Sequence, residues 1–575
     1  MQLIRELINH SIKELRLPKV EYAIEHPKNE SHGDYSCNIA MILWGTLKVR
    51  PSLRKELTFG SPRELAEKLV EQIYKDPFFV KTFEKVEVAG AGFINFYLKP
   101  EFFLEQTKKA TETGYGRNES GRGKLAIVEY SSPNIAKPFT IGHLRSTVIG
   151  DAVANILELN GWKVMRDNHL GDWGTQFGKQ IAAIKKWGDE KKNVYTVKEL
   201  VELYVRFHKE AEDNPGLDDE ARAWFKKLED GDGEARAIWK MCVDSSWKEF
   251  SRIYELLGIS DFDFNEGRGY GESFFEDKMG EVLKMLDKQD WYKEGKEGAK
   301  LVFFPNDKYS PAMILKKDGA TLYHTRDLAT DKYRLDKYHP DLVVNEVGME
   351  QQLYFQQLYE IEKMLGWYSG AQRVHVMHGM FRFKEGKMST RKGNVIWLEE
   401  VLGEAIKRAG ELGKEGKNVA EDVGIGALKW NDLKGEARRD IVFDWEEILN
   451  MKGNSGPYIQ YTYVRALSVL NKFQAPNSKL QTNSNDINLK TEELAILRWL
   501  YRYPEVVAEA GEKFAPHLIS TYIYELAARF NTFYQVCRVE ENGEINELRY
   551  LLTKATENIL QSGLGLLGIV APEEM

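Results

Sequence analysis

The feature that most restricts the fold of this chain is an alternation of short apolar runs and helices beginning at Leu125. LAIVEY (125–130) reads as a buried strand, the stretch from Leu144 to Leu159 as a helix, and WKVMRD (162–167) as the next strand. The helix carries apolar residues at Leu144, Val148, Ile149, Ala152, Val153, Ile156 and Leu157, a clear 3.6-residue period. After an interruption the alternation resumes with GAKLVFF (298–304), DLVVNEVG (341–348) and RVHVMHG (373–379). A helix from about Gln351 to Leu365 separates the last two. Buried strands joined through helices predict a parallel, doubly wound α/β sheet of Rossmann-like type. The interruption, residues 181–285, is charged, Trp-rich and helical, and reads as an insertion that splits the sheet.

At 575 residues the chain is too long for one core, and composition divides it further. Residues 1–115 mix helices with a strand-like FEKVEV…GFINFYL segment, predicting an α+β domain. It ends at a mobile joint marked by Gly114, Gly116, Gly121 and Gly123. Residues 116–400 hold the alternating domain and its insertion. Residues 401–575 read as an all-α bundle, with Leu518, Tyr522, Leu526, Phe530 and Phe533 along one helix face and a polar loop, PNSKLQTNSNDINLKT, between helices. A net charge of −8 excludes a histone-like or polybasic binder, while leaving room for a local basic groove. Three scattered cysteines (Cys37, Cys242, Cys537) offer neither a disulfide framework nor a CxxC metal site. No apolar run approaches the roughly 20 residues of a membrane span. The opening MQLIRELINHSIKELRL has an amphipathic period and reads as a helix rather than a secretory leader. The expectation is a reduced, cytoplasmic, multi-domain protein without disulfides.

Chemistry concentrates after the first strand, in SSPNIAKPFTIGHLRST. Pro133 and Pro138 stiffen a loop, and Gly142 falls in the first turn of the next helix, where a ligand could approach the backbone and phosphate could meet N–H groups. His143 follows as a donor toward an anionic oxygen, and Lys137 adds a positive charge. GRNESGRGK comes near a Walker A loop, but Arg122 stands where its lysine belongs. Taken alone, TIGH reads first as a helix start capped by Thr140 with a histidine satisfied in the core. A second basic loop, KEGKMSTRKGN, carries Lys384, Lys387, Arg391 and Lys392 after the RVHVMHG strand. On charge alone it reads as a solvated face; after the final strand of a doubly wound sheet it lies at the edge where such folds bind ligands.

The pairing of TIGH with KMSTR resembles the two signatures of class I aminoacyl-tRNA synthetases. SSPNIAKPFTIGHLRST, NHLGDWGTQFGK, LYHTRDLA, VGMEQQ and KMSTRKGN are similar to the arginyl-tRNA synthetase family, as are HGDYSCNIAM, AGAGFINFYL and GNSGPYIQYTYVRA nearer the ends. Two positions depart from the pattern. Thr140 replaces the first signature histidine, and Thr390 stands where many class I enzymes have a second lysine. The resemblance points to Lys137 as the substitute.

The resemblance implies attack of the arginine carboxylate on the ATP α-phosphorus, loss of pyrophosphate, and arginyl transfer to a terminal ribose hydroxyl of tRNA. Positioning and electrostatics carry such a reaction. Lys137, His143, Lys387 and Arg391 are the implied catalytic groups, with Thr140, Gly142, His143, Gly348, Lys387, Met388 and Ser389 around ATP. Mg²⁺ is expected to accompany ATP through its phosphates, with no protein metal site. A guanidinium is a planar charged fork that carboxylates meet bidentately, which suits Glu129 and Asp327, with Tyr323 one turn before Asp327. Asn134 and Gln351 are implied at the α-ammonium. Without the resemblance, Asp327 reads equally as a cap or surface ion pair. Such a pocket rejects analogues without a separate editing domain.

Tyr458, Tyr461 and Tyr534 are implied tRNA contacts, and Met575 is placed near the anticodon loop; on spacing alone these tyrosines, with Tyr463, fit a core as well. The N-terminal zone is implied at the D-loop of the tRNA elbow. The family also suggests that activation waits for tRNA. The expected protein is a monomeric arginine–tRNA ligase that binds neither DNA nor membrane. A cysteine-specific relative would require Cys/His zinc ligands that the chain lacks. A retired, tRNA-binding paralogue is favoured by Thr140 alone. A simple nucleotidyltransferase has no use for the long C-terminal domain.

Overall fold

The structure is a computed structural model describing residues 1–49, 59–189, 192–295, 298–317, 319–383, 396–412, 417–473, 489–541 and 544–575. The chain forms two compact units, and the C-terminal half contributes to both.

One unit comprises Met1–Tyr115, Ala466–Glu505 and Leu526–Ile559. Its first helix, Gln2–Glu14, buries Ile4, Leu7, Ile8 and Ile12, the face the periodicity marks out. Four antiparallel strands lie in the order Ile24–Glu25, Tyr35–Cys37, Phe93–Leu98, Phe83–Ala89. Val86 pairs with Phe96 and Ser36 with Asn95, so alternate residues Ile94, Phe96 and Leu98 turn inward and are buried. Thr491–Leu500 buries Ile496, Leu497 and Leu500.

The second unit comprises Gly116–Arg465, Val506–Glu525 and Leu560–Met575. Its centre is a four-stranded parallel sheet in the order Gln372–His378, Leu342–Gly348, Leu125–Glu129, Lys163–Asp167. Ala126, Ile127, Val128, Val343 and Val344 are fully buried, as expected where helices cover both faces. The sheet is the doubly wound one the alternation predicts. The helix Ile141–Leu159 lies so close to the first strand that a Cβ on Gly150 would come within 2.1 Å of the Tyr130 Cβ. The insertion is helical: Val197–Asp213, Gly216–Glu229 and Gly233–Leu256 follow Thr175–Trp187.

One strand expectation is corrected. GAKLVFF does not join the parallel sheet; Lys300–Val302 pairs antiparallel with Tyr292–Glu294 and with Ala312–Leu315 in a separate three-stranded sheet. The physical reason is the short glycine turn before it: the Gly295 amide donates to the Ala299 carbonyl (2.8 Å) and Gly298 takes φ +84°, folding the chain straight back on itself. The C-terminal part is helical, as expected, apart from short strand pairs such as Glu540–Glu541 with Glu544–Ile545. The helix Pro516–Val536 buries Tyr522, Leu526, Phe530 and Phe533, with Leu518 half-buried. Most of the polar loop PNSKLQTNSNDINLKT lies outside the described residues. All three cysteines are free and buried. Among the described residues no helix is long and apolar enough to cross a membrane.

Candidate active site

The C-terminal ends of the parallel strands bring Glu129, Asp167, Gly348 and His378 to one edge, and the loop after Glu129 is held there in an unusual conformation. Ser131, Ser132 and Ala136 all have positive φ (71°, 47° and 55°), which L-residues adopt only when surroundings over-determine them. Those surroundings are visible. The Ser131 amide donates to Ser146 Oγ (3.0 Å), and the Ser131 hydroxyl meets Thr147 Oγ1 and the Tyr254 hydroxyl, each at 2.8 Å. The Ser132 amide donates to Asn168 Oδ1 and the Ala136 amide to Ser246 Oγ, each at 3.0 Å. Tyr254 and Ser246 come from the last helix of the insertion, so the insertion braces the loop. Sequence reasoning missed both, because nothing local marks a serine or tyrosine on an amphipathic helix as a loop clamp.

Thr140 caps the helix Ile141–Leu159. Its amide donates to Nδ1 of His143 (3.0 Å), and its hydroxyl lies 3.1 Å from the same nitrogen. Since Nδ1 accepts a backbone N–H, the imidazole proton resides on Nε2, leaving that edge as a donor. Burial pushes the His143 pKa down to about 4, so the ring is neutral at physiological pH. Gly142 is exposed, and a Cβ there would meet Thr140 Oγ1 at 3.4 Å, an ordinary contact. The protein's own packing therefore does not demand glycine; the clearance faces outward. Lys137 is half-buried on the loop.

The second signature, with Lys384, Lys387, Met388, Ser389, Thr390, Arg391 and Lys392, lies outside the described residues. Its flanks are described: the far one is fastened to the TIGH segment, and the near one to a stretch that Arg145 of the same helix grips. On the far side, the Ile141 amide donates to the Ile396 carbonyl (3.3 Å) and the Leu398 amide to the Phe139 carbonyl (2.9 Å). On the near side, Phe381–Phe383 pairs in parallel with Ile441–Phe443, and Gly379 donates to the Ala437 carbonyl (2.9 Å). Arg145, two residues after His143, donates to the carbonyls of Ala437 (3.0 Å) and Arg439 (2.9 Å) and pairs with Asp432 at 3.1 Å.

Beside the loop is a tight acidic cavity lined by Glu129, His169, Asp327, Asp331, Arg334 and Asn345, among others. Arg334 is fully buried and binds three carboxylates: Glu129 at 2.5 Å, Asp167 at 2.7 Å and Asp331 at 3.3 Å. Burial alone would raise the Glu129 carboxyl, but Arg334, aided by His169, outweighs it and holds the group below the usual carboxylate range. Asp327 is different. Burial pushes its pKa up to about 6, with Glu129 and Asp331 adding to the shift and His169 and a hydrogen bond from the Tyr354 hydroxyl opposing it. Among the described residues its ion-pair partner is His169, 3.6 Å away.

Of the other expected pocket residues, Asn134 sits half-buried at the loop, bridging to Gly171. Its side-chain oxygen would be 2.4 Å from a Cβ on Gly171, so glycine is required there, a constraint that NHLGDWG did not announce. Tyr323 opens the helix Tyr323–Tyr338, is 64% exposed and lies beneath Arg326 rather than in the cavity lining. Gly348 ends its strand, buried, and Gln351 is exposed on the short turn after it. In the second unit, Tyr458 and Tyr461 share the helix Gly456–Lys472; Tyr461 is 40% exposed beneath Arg465, while Tyr463 is buried. Met575 is half-buried in the same unit. In the first unit, Tyr534 is 44% exposed. Among the described residues no three His, Cys, Asp or Glu side chains converge to hold a metal ion.

A Rossmann-like sheet with a TIGH-bearing helix at its ligand edge is the catalytic architecture of the class I tRNA synthetases, and residues 107–445 match the family described as tRNA synthetases class I (R), catalytic domain. Residues 2–98 match the arginyl tRNA synthetase N terminal domain, and residues 459–575 the DALR anticodon binding domain. The chain is 39% identical over 585 residues to the arginine–tRNA ligase of Halothermothrix orenii, covering 99% of this chain and 98% of that protein. It is 40% identical over 587 residues to that of Clostridioides difficile, covering 100% and 99%. The crystal structure of arginyl-tRNA synthetase from Plasmodium falciparum has the same fold, with a TM-score of 0.82 at 24% identity, covering 100% of this chain and 99% of that one. The chain belongs to the arginyl-tRNA synthetase family of class I ligases.

Proposed function

We infer that the chain is an arginine–tRNA ligase that activates L-arginine with ATP and transfers the arginyl group to the 3′ end of its tRNA. The observation that carries the arginine assignment is Asp327, a half-buried carboxylate facing Glu129 and Asp331 and hydrogen-bonded by Tyr354. Such a site favours a permanent, planar cation over an ammonium. Asp327 and Glu129 meet the guanidinium with Tyr323 closing over it, and Asn134 and Gln351 hold the α-ammonium.

In the first step an oxygen of the arginine carboxylate attacks the α-phosphorus, and the bond to the bridging β-phosphate oxygen breaks. Charge gathers on the non-bridging oxygens. The Nε2–H of His143 donates to them, and the exposed Gly142 beside the half-buried Thr140 lets the phosphates approach the helix start. Lys137, Lys387 and Arg391 clamp the leaving pyrophosphate, with Met388, Ser389 and Gly348 around the nucleotide. Magnesium arrives on the ATP phosphates. In the second step a terminal ribose hydroxyl attacks the arginyl carbonyl and AMP leaves.

The same reading gives residues 1–115 to the tRNA elbow, 116–400 to activation and 401–575 to the anticodon, with Tyr458, Tyr461, Tyr534 and Met575 as contacts. The protein works as a monomer in the cytoplasm. ATP–pyrophosphate exchange with a panel of amino acids, with and without arginine tRNA, tests it. Exchange with arginine alone among them supports it; exchange driven by another amino acid refutes the pocket assignment, and silence with tRNA still bound refutes the activity.

A further inference from the structure

His169, from the NHLGDWG segment, lines the acidic cavity. Its Nδ1 lies 3.2 Å from the Tyr270 carbonyl oxygen, an atom that only accepts, so Nδ1 carries a proton. Its Nε2 is sealed from solvent, has no hydrogen-bond partner and looks toward Asp327 Oδ1 at 3.6 Å. A neutral imidazole would aim a lone pair at that carboxylate oxygen, two acceptors facing each other in a water-poor site. A proton between them converts the repulsion into attraction.

The charged and titratable groups facing this pair come from several elements, among them Tyr354 of the helix Gln352–Met364, whose hydroxyl donates to Asp327. Glu129 approaches from its strand, and Asp331 and Arg334 from the helix Tyr323–Tyr338. Glu272 approaches from the turn after Tyr270, where it pairs with Arg326 at 3.2 Å. Asp172 is held by the Ser273 amide (2.8 Å) and hydroxyl (2.7 Å). Arg334 is already shared among Glu129, Asp167 and Asp331. Burial would lower the His169 pKa, but Glu129, Asp327 and Glu272 together carry it above its ordinary value. Asp327 is itself raised.

We propose that His169 and Asp327 hold one proton between them in the free pocket, and that the incoming guanidinium expels it. Asp327 is left as a carboxylate and Nε2 as an acceptor for a guanidinium N–H. The exchange is electrically neutral: one cation enters and one proton leaves to solvent. His169 is thereby a residue of the specificity pocket, and an amino acid lacking a cationic head cannot discharge the proton. This rests on arginine being the ligand of the cavity.

Calorimetric titration of the full-length protein with arginine, in buffers of differing ionisation enthalpy, counts the protons. The expected result at pH 6 is release approaching one proton per arginine, shrinking toward pH 8.5. Arginine affinity rises with pH by up to about tenfold per unit while the pair is protonated. Asp327 is raised by burial and lowered by His169, so His169→Gln alone leaves a carboxyl that can still hold the proton; the double variant His169→Gln/Asp327→Asn removes both ends, and its titration is expected to show arginine binding with heat independent of buffer. Arginine binding to the natural protein without proton release at pH 6 overturns the proposal. Release of undiminished size in the double variant, or in Asp327→Asn should the double variant not fold, overturns it too, since the proton then belongs elsewhere. An absence of arginine binding at every pH, beside binding of another amino acid, instead overturns the substrate assignment on which the proposal stands.

Discussion

Arg145 and Asp432 form an ion pair at 3.1 Å in which both side chains are withdrawn from solvent, 1% and 0% exposed. The pair joins the signature helix to the end of Lys417–Leu433, and the same guanidinium grips two carbonyls in the turn that follows. A bidentate fork suits this work, and an ammonium cannot make all three contacts at once. Removing Arg145 strands Asp432 inside the protein. Arg145→Ala is therefore expected to destabilise this unit by about 3–5 kcal/mol. Arg145→Lys recovers part of it at most. Denaturant unfolding checks the figure, and a loss under 1 kcal/mol would remove the pair from the structural frame of the site.

His143 donates through Nε2 because Thr140 fixes Nδ1 as an acceptor. His143→Ala is expected to lower kcat for pyrophosphate exchange by about 10²–10³-fold while leaving the arginine KM in place. The ring titrates at about 4, below its unfolded value, so no inflection between pH 6 and 8 belongs to it. An unfolded chain binds this proton first, so the stability tied to the neutral ring is present above pH 6.5 and is lost as pH falls toward 4. A rise in arginine KM with unchanged kcat would contradict the assigned role.

Asp327→Asn keeps the shape of the pocket and removes its charge. The arginine KM is expected to rise by about 30-fold or more, corresponding to at least about 2 kcal/mol for a desolvated charge pair. The ATP KM stays within about twofold, within the error of such comparisons. Citrulline, the uncharged isostere of arginine, should gain relative to arginine. Steady-state exchange kinetics on the two amino acids decides it, and an unchanged arginine KM takes Asp327 out of the pocket.

Gly171 leaves no room for a methyl group, since its Cβ would fall 2.4 Å from Asn134 Oδ1. Gly171→Ala is expected to displace Asn134 and raise the arginine KM by about tenfold, roughly 1.4 kcal/mol. ATP binding is left largely intact. Should both substrates bind normally, Asn134 does not hold the amino acid.

The buried parallel strands, the signature helix and the helical insertion were legible because period and burial are local properties of the sequence. GAKLVFF has the same apolar look, yet its partners lie a few residues away across the Gly295–Gly298 turn, and apolarity does not tell a parallel neighbour from an antiparallel one. Gly142 and His143 stand at a helix start, as read. His169 escaped notice because its meaning depends on Asp327, distant in sequence, and on the Tyr270 carbonyl. Ser246 and Tyr254 escaped likewise, their purpose being set by the strained backbone of Ser131 and Ala136. Tyr323 stands four residues before Asp327 at the start of their shared helix and is exposed there.

The acidic pocket commits the enzyme to arginine, which the enzyme then delivers to tRNA. Charging of purified arginine tRNA with arginine, lysine and citrulline, at saturating ATP, tests that most directly. The expected product is arginyl-tRNA alone, with lysine and citrulline disfavoured by about 10⁴-fold or more in kcat/KM. Comparable charging with lysine or citrulline would contradict it.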